Sequence, residues 1–348
     1  MYRLNPCRTG VSGQRGLSGP VTVAWKQTLG TTGWGVPLET PHGIVFATQS
    51  GLLSFAIQSG KRQWHAQVGD VVRPPLLHGD VLYAGTRFPG AVVCVDARSG
   101  RLLWRTDTED DFEPSPLVWN GKLLAFSSAA VLHVMDPLTG SILSGRKVGD
   151  RACGSLALSE DRLVLMTREG VVTALTEAAG QITELWRTQP AICDATATPA
   201  LDETRAYVGM DNGRVYALDL QTGQVSWSFE TQGNVRSDPA VDEGLVYFGS
   251  WDGRFYAVHA ATGREAWRFE PTGERNPIQS GPVVAGRRVY CAVDRTGIFV
   301  LDKRSGEPLW HSAETDRIAG PWVGDGRLAY ARIFKNEAVM LTGPAVDA

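Results

Sequence analysis

From Asp238 to Phe269 the chain reads DPAVDEGLVYFGSWDGRFYAVHAATGREAWRF, in which short apolar runs alternate with polar, glycine-bearing breaks at EG, WDG and ATG. Each run is rich in Val, Tyr, Phe and Trp, residues that suit a pleated, half-buried surface. The stretch therefore predicts four strands joined by tight hairpins. No segment carries a sustained 3.6-residue period with caps, so every motif falls on a strand or a turn.

The pattern repeats. A Ser/Thr-Gly pair followed by Trp four positions after the Gly occurs at Gly60 to Trp64, Gly100 to Trp104, Gly223 to Trp227, Gly263 to Trp267 and Gly306 to Trp310. Two degenerate copies lie between: Gly140 is followed by Ser144, and Gly180 by Trp186. Successive glycines are 40 or 43 residues apart, the length of a four-stranded propeller blade. A D-x-x-S/T-G turn closes the outer hairpin at Asp96–Gly100, Asp136–Gly140, Asp219–Gly223 and Asp302–Gly306. There the carboxylate accepts backbone N–H groups and the glycine takes a positive φ. After Trp310 only three strands follow, whereas Val21–Thr28 (VTVAWKQT) is a Trp-bearing strand without a blade of its own. Pairing the two closes a ring and removes its open edges. The reading is an all-β chain: an eight-bladed β-propeller of four-stranded antiparallel blades, with residues 1–20 as an extension and 21–348 as one domain.

Composition narrows the function. Of the 348 residues, 43% are hydrophobic and 20% charged, which suits a packed interior and excludes a disordered chain. Lys+Arg number 34 against 37 Asp+Glu, without the basic surplus of a nucleic-acid binder or the polybasic face of an interfacial membrane protein. Cys7, Cys94, Cys153, Cys193 and Cys291 form no CxxC pair and no zinc-ligand spacing. The N-terminal residues lack the apolar run of a secretory signal. The expectation is a cytoplasmic monomer with reduced thiols and no membrane partner.

The repeat GRVYALDLQTGQVSWSF at 213–229, with a proline opening the first strand of seven units (Pro37, Pro75, Pro116, Pro199, Pro239, Pro282, Pro321), resembles the quinoprotein-type, or PQQ-like, repeat. By length the chain is most similar to stand-alone propellers of the BamB kind. The resemblance implies eight blades docked through the repeated aromatic positions, here Trp25, Trp64, Trp104, Trp186, Trp227, Trp267 and Trp310. Quinone-dependent alcohol dehydrogenases of that family carry two adjacent cysteines beside the cofactor, and no two cysteines are adjacent here. BamB-type proteins are lipoproteins, and the sequence has no lipobox.

No P-loop, dinucleotide fingerprint, HExxH or GxSxG is present. The six histidines are scattered singly, against a metal-dependent lyase or hydrolase. Variation between repeats concentrates just before each first strand, where the chain crosses to the channel mouth. Five residues before each strand proline, or before its counterpart Ser155, stand Thr32, Asp70, Asp111, Asp150, Asp194, Asn234, Pro277 and Asp316. Turn chemistry explains such Asx residues; a carboxylate ring holding a cation or a basic peptide is the alternative. The expected site is the mouth: Trp34, Arg73, Glu113, Arg151, Asp194, Arg236, Gln279 and Arg317. Its mixed charge suits a protein or peptide partner and no cofactor. The alternative function is a quinone-binding oxidoreductase or sensor, holding pyrroloquinoline quinone with Ca²⁺ in the funnel.

Overall fold

The computed structural model describes residues 10–17, 19–272 and 275–345; Cys7 lies outside them, as does part of the extension. Every regular element among the described residues is a strand, and no helix is long and apolar enough to cross a membrane. The strands form eight sheets, seven of four strands and one of five. Seven blades follow chain order, at 38–66, 76–107, 117–147, 152–188, 200–230, 240–269 and 283–313. The eighth comprises Ile318–Gly324, Arg327–Arg332 and Glu337–Thr342 with Thr22–Thr28 as its outer strand, paired antiparallel from Thr22↔Thr342 to Thr28↔Glu337. The ring therefore closes through the N-terminal strand.

The outer turns fold as their sequence dictates. Asp219 Oδ1 accepts hydrogen bonds from the backbone N–H of Gln221 (3.0 Å) and Thr222 (2.8 Å), and Gly223 sits at φ +72°. The Thr222 N–H, first among these contacts, holds the Asp219 carboxyl below the usual carboxylate range.

Between blades, each docking tryptophan lies on the turn glycine of the next. A Cβ on Gly60, Gly100, Gly140, Gly223, Gly263 or Gly306 would come within 2.5–2.7 Å of the indole of Trp25, Trp64, Trp104, Trp186, Trp227 or Trp267 respectively. Gly19 completes the series beneath Trp310. Five indole N–H groups, of Trp25, Trp104, Trp186, Trp227 and Trp267, donate to carbonyls of the following blade at 2.8–3.1 Å. In these five the indole buries its faces and satisfies its single donor in one contact, whereas the N–H groups of Trp64 and Trp310 are buried without an acceptor. The exception is the junction between the third and fourth blades: Ser144 replaces the tryptophan, and nothing lies within 4 Å of a Cβ on Gly180. Charged contacts stand in its place, with Lys122 on Glu177 (2.8 Å) and Arg146 on Glu184 (3.3 Å).

The extension does more than precede the ring. Val11–Ser12 pairs in parallel with Val283–Ala285, the innermost strand of the seventh blade, so the segment lies in the central channel. Leu17 is fully buried, and the Tyr290 hydroxyl both accepts from its N–H (2.7 Å) and donates to its carbonyl (3.0 Å).

Candidate functional site

The channel is held open by a belt of hydrogen bonds between residues that start the inner strands. Ser115 Oγ donates to the Pro74 carbonyl (2.8 Å), and the Ser115 N–H donates to Ser155 Oγ (3.0 Å). The Ser155 N–H reaches Thr198 Oγ1 (3.0 Å), and the Thr198 N–H reaches Asp238 Oδ1 (2.6 Å). Ser237 and Ser280 extend the belt to Gly320. Each link joins one blade to the next, so the mouth rests on a frame whose polar groups are mutually satisfied.

Above this belt lies a cavity of about 340 Å³, and five of the eight residues expected at the mouth line it: Trp34, Arg73, Arg236, Gln279 and Arg317. All sit two to four residues before a strand proline, where the chain turns toward the axis. Each guanidinium is held by a carboxylate. Arg236 makes a bidentate pair with Asp211 through Nε (3.0 Å) and Nη2 (2.5 Å), and stacks over Trp251 at 4.3 Å from the ring centre. Arg317 lies 3.6 Å from Asp294 and donates to Gln279 Oε1 (3.2 Å). Burial pushes the Asp294 carboxyl above its ordinary range, against the opposing pull of Arg317 and Gln279. The indole N–H of Trp34 is buried without an acceptor.

Arg73 has a separate role. It enters from the second blade and reaches across the channel to the Thr196 carbonyl (3.5 Å) and to Asp238 (3.6 Å), which precede the fifth and sixth blades. Next to the mouth cavity is a second of about 240 Å³, lined by Pro37, Pro282, Pro321 and Trp322 and by Ser12 and Gln14 of the N-terminal segment. Val36, Pro74, Asp238 and Gly281 line both.

The other three expected residues do not line the mouth cavity. Glu113 pairs with Arg87 (3.2 Å), which also holds Asp70 (2.7 Å), in a cluster on the same face. Arg151 and Asp194 are exposed, and their carbonyls accept from Arg168 and Asp211. Register explains Asp194, since residues five before the proline bond to the hairpin of the blade that follows, as the Asp70, Asp194 and Asn234 carbonyls do with the N–H groups of Arg87, Asp211 and Trp251. Residues four before it mostly pack between blades, as Val71, Phe112, Ala195, Val235 and Ile278 do, but Arg317 lines the cavity from that place and Arg151 does not. The Asx positions accordingly serve turns: Asp111 accepts from the Phe88 N–H (3.2 Å), and Asp316 from the N–H groups of Arg317, Phe334 and Lys335. Among the described residues no group of three or more His, Cys, Asp or Glu is placed to hold a metal ion.

Sequence reasoning passed over Asp211, Asp238, Asp294 and Trp251. Asp238 carried a signal, standing just before its proline where the other blades place Ser, Thr, Gly, Val or Pro. Asp211, Asp294 and Trp251 sit in the hairpins after the second strand, where a turn residue and a site residue read alike.

Comparison with known proteins places this architecture. The family described as "Outer membrane protein assembly factor BamB" matches residues 89–190 and 168–340. The BamB of Yersinia pestis is 24% identical over 274 residues, covering 72% of this chain and 61% of the Yersinia protein, so the chain spans about three fifths of that relative. Among solved structures, BamB from Moraxella catarrhalis superposes with a TM-score of 0.77 at 17% identity, over 92% of this chain and 99% of the other. The quinohemoprotein alcohol dehydrogenase of Comamonas testosteroni superposes with a TM-score of 0.79 at 13% identity, over 100% of this chain and 81% of the enzyme. At such identities the likeness is one of fold. With the family matched across most of its length and eight blades closed as its repeats require, this chain belongs to the PQQ-like repeat β-propeller family, described by its BamB members.

Proposed function

We propose that the protein is a non-enzymatic interaction scaffold that takes a protein or peptide partner at its channel mouth. The observation that carries the reading is the convergence of Trp34, Arg73, Arg236, Gln279 and Arg317 from five approach segments onto one cavity. These positions differ from blade to blade although the repeat would allow them to be alike, and packing alone does not require that asymmetry. An aromatic face, guanidinium groups and an unsatisfied indole donor are the groups that anchor a polypeptide with exposed carbonyls and carboxylates. The family's description as an assembly factor points the same way.

Pyrroloquinoline quinone with Ca²⁺ fits these residues poorly. A planar quinone needs aromatic surfaces on both sides and a cation held by free carboxylates. The mouth cavity offers one aromatic side chain, Trp34, and its carboxylates Asp238 and Asp294 each face an arginine. Neighbouring guanidinium groups oppose a divalent ion.

The test is site-specific photo-crosslinking in the producing organism, with the reactive residue at Gln279 in the mouth or at Arg264 on the outer rim. Adducts from position 279 and none from 264 are expected; adducts from the rim alone would overturn the assignment. Adding the quinone with Ca²⁺ to the purified protein should leave its melting temperature unchanged. A ligand at a hundred times its Kd would add about 2.7 kcal/mol to the folded state.

A further inference from the structure

The N-terminal segment is seated in the channel like a bound peptide. The Val284 N–H donates to the Gly10 carbonyl (2.8 Å), and Val11 and Ser12 stand in register with Val284 and Ala285. Ser12 Oγ donates to the Val323 carbonyl of the eighth blade (3.2 Å), and Gln14 Nε2 to Glu39 of the first (2.9 Å). Three blades thus hold one extended strand. The segment divides into an anchor and an arm. The anchor is Leu17, buried and hydrogen-bonded to Tyr290, followed by Gly19 beneath Trp310. The arm, residues 10–15, adds a two-residue ladder and a few polar contacts, and Arg15 contributes a long, exposed pair with Asp325 (4.0 Å) and a carbonyl that accepts from the Gly326 N–H (3.4 Å).

The innermost strand of a propeller blade ordinarily has one edge free, and a row of unpaired N–H and C=O groups is a template for another chain. The arm shows that the seventh blade's inner edge accepts such a chain in this molecule. Gly10, Ser12 and Gly13 lie against the proline-lined cavity, and a Cβ on Gly13 would meet nothing within 4 Å. Only Val11 carries a larger apolar side chain in the strand, and it packs against the core of the sixth and seventh blades.

We propose that residues 10–15 are an intramolecular occupant of a strand-accepting site on Val283–Ala285, and that with the arm displaced the site takes an extended peptide with one β-branched side chain at the place of Val11, paired in parallel. Attachment through Leu17 gives the arm an effective concentration in the millimolar range, so it excludes a free peptide well below that concentration. The inference is independent of the mouth reading, since none of Trp34, Arg73, Arg236, Gln279 and Arg317 lines the cavity beside the arm.

The test uses full-length protein carrying Val11→Asp and Ser12→Pro, which removes the packed side chain and a backbone donor while leaving Leu17 and the closing strand intact. The probe is the acetylated, amidated peptide Gly-Val-Ser-Gly-Gln-Arg. The variant should bind it saturably at concentrations well below millimolar, with a change in Trp322 emission and at least threefold slower hydrogen exchange at the Val284 amide. The parent protein should show neither at the same concentration. A chain shortened to begin at Gly16 should behave as the variant does, and carries the test if the double substitution lowers the melting temperature. Equal uptake by the parent protein, or no uptake by either altered form, would overturn the proposal.

Discussion

A methyl group added to two turn glycines isolates the docking contact from everything else about the turn. Gly306 sits at φ +74° and Gly180 at φ +79°, so alanine at either position carries the same left-handed strain, about 1–2 kcal/mol. They differ in what the new Cβ would meet. At Gly306 it would lie 2.5 Å from Cε3 of Trp267, an indole that is 8% exposed and tied by its N–H to the Lys303 carbonyl at 3.1 Å; at Gly180 it meets nothing within 4 Å. Relieving that overlap means moving the indole or the turn, and overpacking of this kind costs about 1–3 kcal/mol. Gly180→Ala should therefore cost about 1–2 kcal/mol and Gly306→Ala about 2–5 kcal/mol. Chemical unfolding followed by circular dichroism measures both. Trp267→Ala alone should cost about 3–5 kcal/mol. In that background Gly306→Ala should fall to the Gly180→Ala value, giving a favourable coupling of about 1–3 kcal/mol in the double-mutant cycle. Equal costs at the two glycines, or no coupling to Trp267, would refute the docking account.

Three further outcomes are expected. Removing residues 1–30 deletes the outer strand of the eighth blade and the buried Trp25, so the melting temperature should fall steeply, with at least the 3–5 kcal/mol of a buried tryptophan lost; an unchanged melt would sink ring closure as a source of stability. The strand Ile142–Lys147 is mostly exposed and lacks an indole, so its amides should exchange faster than those of Val225–Glu230; equal protection would mean that Lys122 and Arg146 replace the tryptophan fully. Neither ring nitrogen of His133 has a hydrogen-bond partner, and burial between Phe112 and its own sheet lowers its pKa from 6.5 despite the opposing pull of Asp110. The neutral imidazole is the stable folded form, so this contribution is complete above about pH 6.5 and is lost as pH falls toward the depressed value. Parent and His133→Phe proteins should diverge in stability below that pH, and parallel curves would argue against it.

Blade number and ring closure were legible in the sequence because they rest on local chemistry repeated from blade to blade. A turn glycine receives the indole of the blade before it, and the indole four residues later docks on the blade after it, so one motif marks two junctions, and Trp25 without a blade implied a partner strand. The mouth was legible only in part. That the approach segments converge follows from topology, but which of their residues line the cavity is not set by register alone: Arg317 lines it, and Arg151, at the same distance from its strand start, does not. The strand Val11–Ser12 was not legible at all: Gly-Val-Ser-Gly has neither alternation nor β propensity, and its pairing comes from the edge it meets.

The clasp that closes the ring has a consequence for the order of events during synthesis. Thr22 and Thr342, hydrogen-bonded through their side chains, are 320 residues apart. At ribosomal rates of about 5–20 residues per second, the strand holding Trp25 waits on the order of 15–60 s before its partner exists. Seven blades can form as local hairpins in that interval, while the first long strand made is the last to find its place. The nascent chain thus passes through an open arc with an unpaired edge at its tail and an apolar strand loose at its head. Two such arcs emerging from neighbouring ribosomes present complementary ends to each other, and the yield of closed rings becomes a contest between one chain's two ends and the ends of its neighbours.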